Sequence, residues 1–161
     1  MSNILQIGVN GVPTKTSITV STQAGAVAEG GTIAYGVPVT ITAAVTAGTT
    51  NVTSGTVSFT IDDNPIKVGG TTVCGSVAFS HGVASCIVSS IALGTHTIVA
   101  SFTSSSRSYD SGSSPSTDNS WTIGKDSTST TLTVGADTTG LGDIALTAAV
   151  ANTSALSLIH I

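Results

Sequence analysis

A chain of 161 residues with eight acidic and only four scattered basic side chains, at a net charge of -4, lacks the clustered cations that a phosphate backbone demands, which excludes nucleic acid as a partner. Charged residues make up 7% and hydrophobic ones 40%, with Ser and Thr at about a third, a mixture too apolar for a disordered polyelectrolyte in a chain long enough to bury a core. No apolar run approaches the roughly 18 to 20 residues that a membrane helix needs, and "MSNILQIGVNGVP" has neither the basic start nor the continuous apolar stretch of a secretory signal, so no membrane insertion is expected in this segment.

Residues 1–14 read as a lead-in. After them, apolar and small polar residues alternate with period 2 between clusters of Gly, Asn, Asp and Ser, which predicts strands at 16–22, 37–45, 55–62, 65–68, 76–80, 84–89, 94–102 and 120–124. In "VPVTITAAV" (37–45), Val39, Ile41, Ala43 and Val45 share one face and Thr40, Thr42 and Ala44 the other, the half-buried pattern of an antiparallel sheet. Asp62, Asp63, Asn64 and Pro65 read as a hairpin turn, with a calcium role as the minor alternative. In 94–102, Ile98, Ala100 and Phe102 point one way and His96 joins them at the edge. Nothing longer than a turn reads as helix. Short strands and frequent turns across about 110 residues predict an all-β, two-sheet sandwich of seven to eight strands.

The chain then begins again. "SITV" followed by "VPVTITAAV" recurs as "TLTV" (131–134) followed by "GDIALTAAV" (142–150), with Val39, Ile41, Ala43 and Val45 answering to Ile144, Leu146, Ala148 and Val150. Residues 125–161 are therefore expected to be the truncated start of a second repeat. Two strands do not stand alone, so this segment is expected to pack on the end of the first module or to be poorly ordered. The closing "LSLIHI" departs from the Ser/Thr idiom and reads as a truncation or read-through artefact.

The succession "GTVSFTID", "CGSVAFSHGVASCIVSSIALGTHTIVASF" and "RSYDSGSS" resembles the bacterial immunoglobulin-like repeat family, found in tandem in surface adhesins and large secreted proteins. The resemblance covers about residues 15–124. It is carried by "GTVSF" and by "GTHTIVASF", where the family tends to have G-T-H-T-I-T-A-x-Y. Where many members have S-G-D-x-x-Y, this chain has "TSSSRSY", keeping Tyr109 and losing the Gly-Asp turn. The resemblance implies an immunoglobulin-like sandwich at 15–124 and a modular building block, with neighbouring repeats of the same chain as its partners and no cofactor.

Members of that family often carry a Cys on each side of an x-x-G-x-A turn, as Cys74 and Cys86 stand around "SHGVA". If "SHGV" is a four-residue loop, Phe79 pairs with Ala84 and Val77 with Cys86, and a bulge near Gly75 is needed to bring Cys74 onto the same face. The reading is a disulfide stapling a hairpin, with two buried free thiols as the alternative. A zinc site would want two more ligands than Cys74, Cys86 and a turn-tip His81 provide, so no metal is expected. A catalytic thiol would want a base in reach, whereas His96 reads as a half-buried ring bonded to backbone. Trp121, on the last strand, reads as a rim residue covering one end of the core, with a sugar-stacking platform as the alternative. No enzyme is expected, because no nucleophile, base and acid converge.

Three functions fit these residues. The first is a non-catalytic structural spacer in a tandem array of an extracellular or cell-surface protein, supported by the restart of the module and, for the compartment, by the paired cysteines. The second is an adhesion module that binds carbohydrate or a host surface protein through end loops at 46–54 and 103–119. The third is a phage virion decoration domain.

Overall fold

The structure is a computed structural model that describes residues 10–78, 80–115, 119–136, 140, 142 and 144–152. In chain order its strands are β1 (Lys15–Thr22), β2 (Gly25–Val27), β3 (Thr32–Ala34), β4 (Val39–Ala47), β5 (Thr50–Asn51), β6 (Thr56–Ile61), β7 (Asn64–Pro65) and β8 (Lys67–Val68). They continue as β9 (Thr71–Thr72), β10 (Val77–Ala78), β11 (Val83–Val88), β12 (Gly94–Thr103), β13 (Gly112–Ser113), β14 (Ser120–Gly124), β15 (Thr128–Val134) and β16 (Leu146–Asn152). No helix occurs among the described residues.

Alternation decides which side of each strand is buried. Along β4 every second residue, from Val39 to Val45, is fully buried while the Thr and Ala between them stay half-buried, as one covered sheet face requires. The first sheet has the order β11-β4-β1-β2, with β5 beside β4; the second has the order β10-β6-β12-β14-β3, with β7 on β6 and β13 on β12. Val20, Ile41, Ala43, Val45 and Ala84 from the first sheet and Val57, Phe59, Ile98, Ala100 and Phe102 from the second form one core between the layers. This is the expected all-β sandwich, and the chain moves from one layer to the other between β2 and β3, where β3 pairs parallel to β14.

Several elements differ from expectation. The strand at 65–68 divides: Pro65 pairs with Thr60 on β6, while Lys67 and Val68 pair with Thr72 and Thr71 in a separate two-stranded ribbon. The short strands β2, β3, β5, β9 and β13 lie in stretches too brief or too rich in Gly for a period-2 signal. The hairpin at 76–89 does not form as a ladder. Val77 pairs with Val57 on β6 and Cys86 with Ile41 on β4, so β10 and β11 belong to opposite sheets, with the bridge Ser80 to Val83 at the turn between them. The expected pairing of Phe79 with Ala84 lies outside the described residues.

After β14, β15 and β16 pair with each other as a sheet of their own, from Thr128 opposite Asn152 to Val134 opposite Leu146. Every residue of β15 is exposed, as are residues 146–150 of β16. The tail from 153 onward, including "LSLIHI" and His160, lies outside the described residues, as do residues 1–9 of the lead-in.

Candidate functional site

The chemistry-bearing side chains gather in two places. The first is the cystine. Cys74 sits beside β6, its carbonyl accepting from the Phe59 N–H at 2.9 Å, and Cys86 sits on β11 in the other sheet. Their Cα atoms are 5.8 Å apart and their sulfurs are bonded, so the disulfide ties the two layers together across the sandwich. The twelve-residue separation suggests a local hairpin staple, and the structure corrects that: a chain that changes sheets in its middle turns a short loop into an interlayer link. The backbone adjustment falls on Cys74 itself, at φ 60°, and Gly75 keeps an ordinary backbone. A non-glycine residue held in the left-handed region costs about 1 kcal/mol or more, a cost the surrounding core contacts of Cys74 and the cystine offset.

The second place is the turn after β6. Asp62 and Asp63 have φ of 50° and 61°, the paired left-handed geometry of a two-residue hairpin turn, which Asp and Asn tolerate better than other side chains. This turn brings Asp62 against β12. Its Oδ1 accepts the Thr97 N–H at 2.9 Å, its Oδ2 lies 2.7 Å from His96 Nδ1, and its own N–H donates to the Thr97 carbonyl. His96 Nε2 donates to the Ala92 carbonyl at 2.9 Å. A carbonyl only accepts, and so does an ionised carboxylate, so both ring nitrogens carry hydrogen when both bonds are made: the arrangement selects imidazolium.

Burial alone would lower the His96 pKa, but the hydrogen bonds to Asp62 and Ala92 and the carboxylate charge outweigh it and leave it raised. The hydrogen bond from His96, with that from Thr97, holds the Asp62 carboxyl below its ordinary value. Both imidazole nitrogens are committed, so this pair fastens a turn to a strand and has no nitrogen left to serve as a base. Sequence reasoning reached a half-buried, backbone-bonded His96 but read Asp62 as a turn residue, with calcium as the alternative, and did not pair the two. Only the register that sets Ile61 opposite Ile98 shows that the next residue meets His96 and Thr97.

The other candidates separate. His81 sits exposed at φ 53° and shares a 2.7 Å hydrogen bond with Ser80. Trp121 is 3% exposed and lies in the core, with its Nε1 donating to the Val27 carbonyl at 3.4 Å. That corrects both the rim position and the stacking platform, since a buried ring presents no face to a sugar. Among the described residues no three His, Cys, Asp or Glu side chains come together as metal ligands.

Described residues of both end loops lie beside the lead-in at one end of the sandwich. Thr46 pairs with Lys15, Gly82 lies against Asn51, and the Gly112 segment lies against Thr14. The lead-in joins them there, with Val12 bridged to Tyr109 and the Thr14 hydroxyl donating to the Asp110 carbonyl. Some serine hydroxyls of the second loop bond to its own backbone: Ser104 Oγ donates to the Ser106 carbonyl, and Ser111 Oγ accepts from the Ser104 N–H. On the side of the molecule, an open cleft of about 1240 Å³ lies between edge strands β2 and β3, lined by Val27, Ile33, Val37, Pro38 and Ile87 and by no ionisable group.

Compared with known proteins, residues 26–124 match the family model described as bacterial Ig-like domain (group 3). No curated protein and no solved structure matches the chain significantly.

Proposed function

The chain belongs to the bacterial Ig-like domain family, group 3, and from that membership we propose that it is a non-catalytic spacer module in a tandem-repeat protein of the bacterial surface or exterior. The observation that carries this reading is the register of β15 against β16. In the sandwich, Thr16, Ile18 and Val20 of β1 face Val45, Ala43 and Ile41 of β4. In the hairpin, Thr130, Leu132 and Val134 face Val150, Ala148 and Leu146. Residue for residue this is the same pairing, so the stretch after 125 is read as the first two strands of a second sandwich. A chain that restarts one module adds length, and a chain in which only 7% of residues are charged suits a spacer more than a site.

The interlayer cystine is compatible with an extracellular location, and no helix among the described residues is long and apolar enough to cross a membrane. The test is limited proteolysis of the parent protein taken from the cell surface, probed with antibody raised against residues 15–124. The spacer reading expects a ladder of fragments differing by about 100 residues, one module each. A single sandwich fused to an unrelated domain, or antigen confined to the cytoplasm, would overturn it.

One observation favours a second reading. Loops 46–54 and 103–119 share an end of the sandwich, where end loops of this architecture carry recognition. Binding to a glycan array that is lost on replacing these loops would support adhesion over spacing.

A further inference from the structure

Residues 51–54 read "NVTS", an asparagine followed two places on by a hydroxyl residue with no proline between, which is the acceptor spacing for an N-linked sugar. Ser and Thr make up about a third of the chain, so the spacing by itself selects little, and the fold does the selecting. Asn3, Asn10, Asn64 and Asn119 have Leu5, Val12, Ile66 and Trp121 at that distance, and the Asn119 side chain is already bonded to the Pro115 carbonyl. Asn152 has the spacing too, but the residues after it lie outside the described ones. At Asn51 the backbone is open. Thr46 and Asn51 face each other as a non-bonded pair, since the adjoining bond runs from the Val52 N–H to the Val45 carbonyl at 3.2 Å, so the Asn51 N–H and C=O point away from β4. The side chains are open as well. Val52 is 0% exposed while Asn51 and Thr53 on either side of it are exposed, so amide and hydroxyl stand toward solvent together. Neither has a hydrogen-bond partner among the described residues. The neighbour on that flank is Gly82, where a Cβ would come within 2.8 Å of the Asn51 Cβ, so no side chain there shields the amide.

We propose that Asn51 is an N-glycosylation site, with a sugar activated through its anomeric phosphate as the donor and a glycosyltransferase of the producing cell as the partner. Asn51 Nδ2 attacks the anomeric carbon; the C–N bond forms, the anomeric C–O bond to phosphate breaks, and the phosphate leaves with the electron pair. One amide proton passes to a base of the transferase. Thr53 supplies the hydroxyl that the transferase reads beside the amide. β5 suits this use because it is only two residues long at the margin of its sheet, so a short local opening admits the segment to a transferase while the core stays closed. The proposal stands whether or not residues 125 onward begin a second module. It also changes what loop 46–54 is for: the end of the sandwich that carries it would display carbohydrate, where the adhesion reading has it bind carbohydrate.

The experiment is peptide mass spectrometry of the protein purified from whole cells of its own host, which keeps the measurement independent of where the protein resides. No Lys or Arg lies between Lys15 and Lys67, so trypsin releases Asn51 and Thr53 on one peptide, residues 16–67. Wild type is run beside Asn51→Gln, Thr53→Val and Thr53→Ser, with the fluorescence of buried Trp121 reporting that each is folded. The expected result is a sugar on this peptide, placed on Asn51 by fragmentation, lost in Asn51→Gln and Thr53→Val and retained in Thr53→Ser. The size of the group separates the donors: a single hexose marks a nucleotide sugar, an oligosaccharide added in one step marks a polyprenyl diphosphate carrier, and either supports the proposal. An unmodified wild-type peptide overturns it. So does a sugar that persists in Asn51→Gln or Thr53→Val, which would place it on a Ser or Thr hydroxyl of the same peptide.

Discussion

At Thr16 the side chain is 2% exposed and its hydroxyl has no hydrogen-bond partner, directly opposite the core residue Val45. A buried hydroxyl left unsatisfied costs about 1 to 3 kcal/mol, and valine has the same shape without it. Thr16→Val is therefore expected to stabilise the sandwich by about 1 kcal/mol in urea unfolding, and an unchanged or lowered midpoint would show that the hydroxyl is satisfied in solution. Asp62 and His96 make the opposite case, a polar pair with every bond used. The His96 pKa is raised on folding, so its contribution is full below the unfolded value near 6.5 and fades as pH climbs through the folded value. The Asp62 pKa is lowered, so its contribution is full above about 3.9 and fades as pH falls through the folded value. The stability difference between wild type and His96→Gln should consequently peak between about pH 4 and 6.5 and shrink on either side. Asp62→Asn, which preserves the turn and loses the charge, should flatten the same profile; a difference independent of pH would mean the ring acts by packing alone.

At the level of elements, the exchange of sheets between β10 and β11 determines what the cystine does. Removing both sulfurs with Cys74→Ala and Cys86→Ala is expected to cost about 3 kcal/mol by the chain-entropy estimate for a loop of this length. Reductant should destabilise the wild type by a similar amount and leave the double variant unmoved, and equal sensitivity of the two proteins to reductant would contradict this. The same exchange explains where reading the sequence succeeded and where it stopped. The strands β1, β4, β6, β11, β12 and β14 were legible because each has an alternating apolar face buried on one side, and alternation is a local property. Which strands pair was less legible. "SVAFSHGVASCIVS" alternates across a turn as a hairpin would, and only the competing partners, Val57 for Val77 and Ile41 for Cys86, reveal that the ladders diverge. The two-residue strands β5, β9 and β13 are short enough that tertiary pairing, rather than local pattern, defines them. At the candidate site the positive φ of Asp62 and Asp63 was foreshadowed by residue type, while the contact with His96 waited on register.

Over the whole molecule, two pieces of nearly the same sequence pattern meet opposite fates, which separates the contribution of pattern from that of cover. β1 with β4 and β15 with β16 share register, β-branched content and lack of charge along their centres, so their local propensities are close. The difference is the second layer: Phe59 and Phe102 of the second sheet share one buried core with Val39, Ile41, Ala43 and Val45 of β4, whereas no described strand of this chain forms a sheet with β15 or β16. If sheet stability came mainly from propensity and backbone ladders, the two pairs would hold their amide protons alike. If it comes from apolar burial at roughly 25 cal/mol per Å², the covered pair gains several kcal/mol that the open pair does not, and a two-stranded ribbon alone is marginal in water. Hydrogen exchange on the dilute chain distinguishes these directly. Amides in the β1–β4 ladder are expected to exchange only through global opening, and those in β15–β16 at least 100-fold faster through local opening. Comparable protection in both pairs at low micromolar concentration would mean that ladder and propensity suffice to hold a sheet without a second layer.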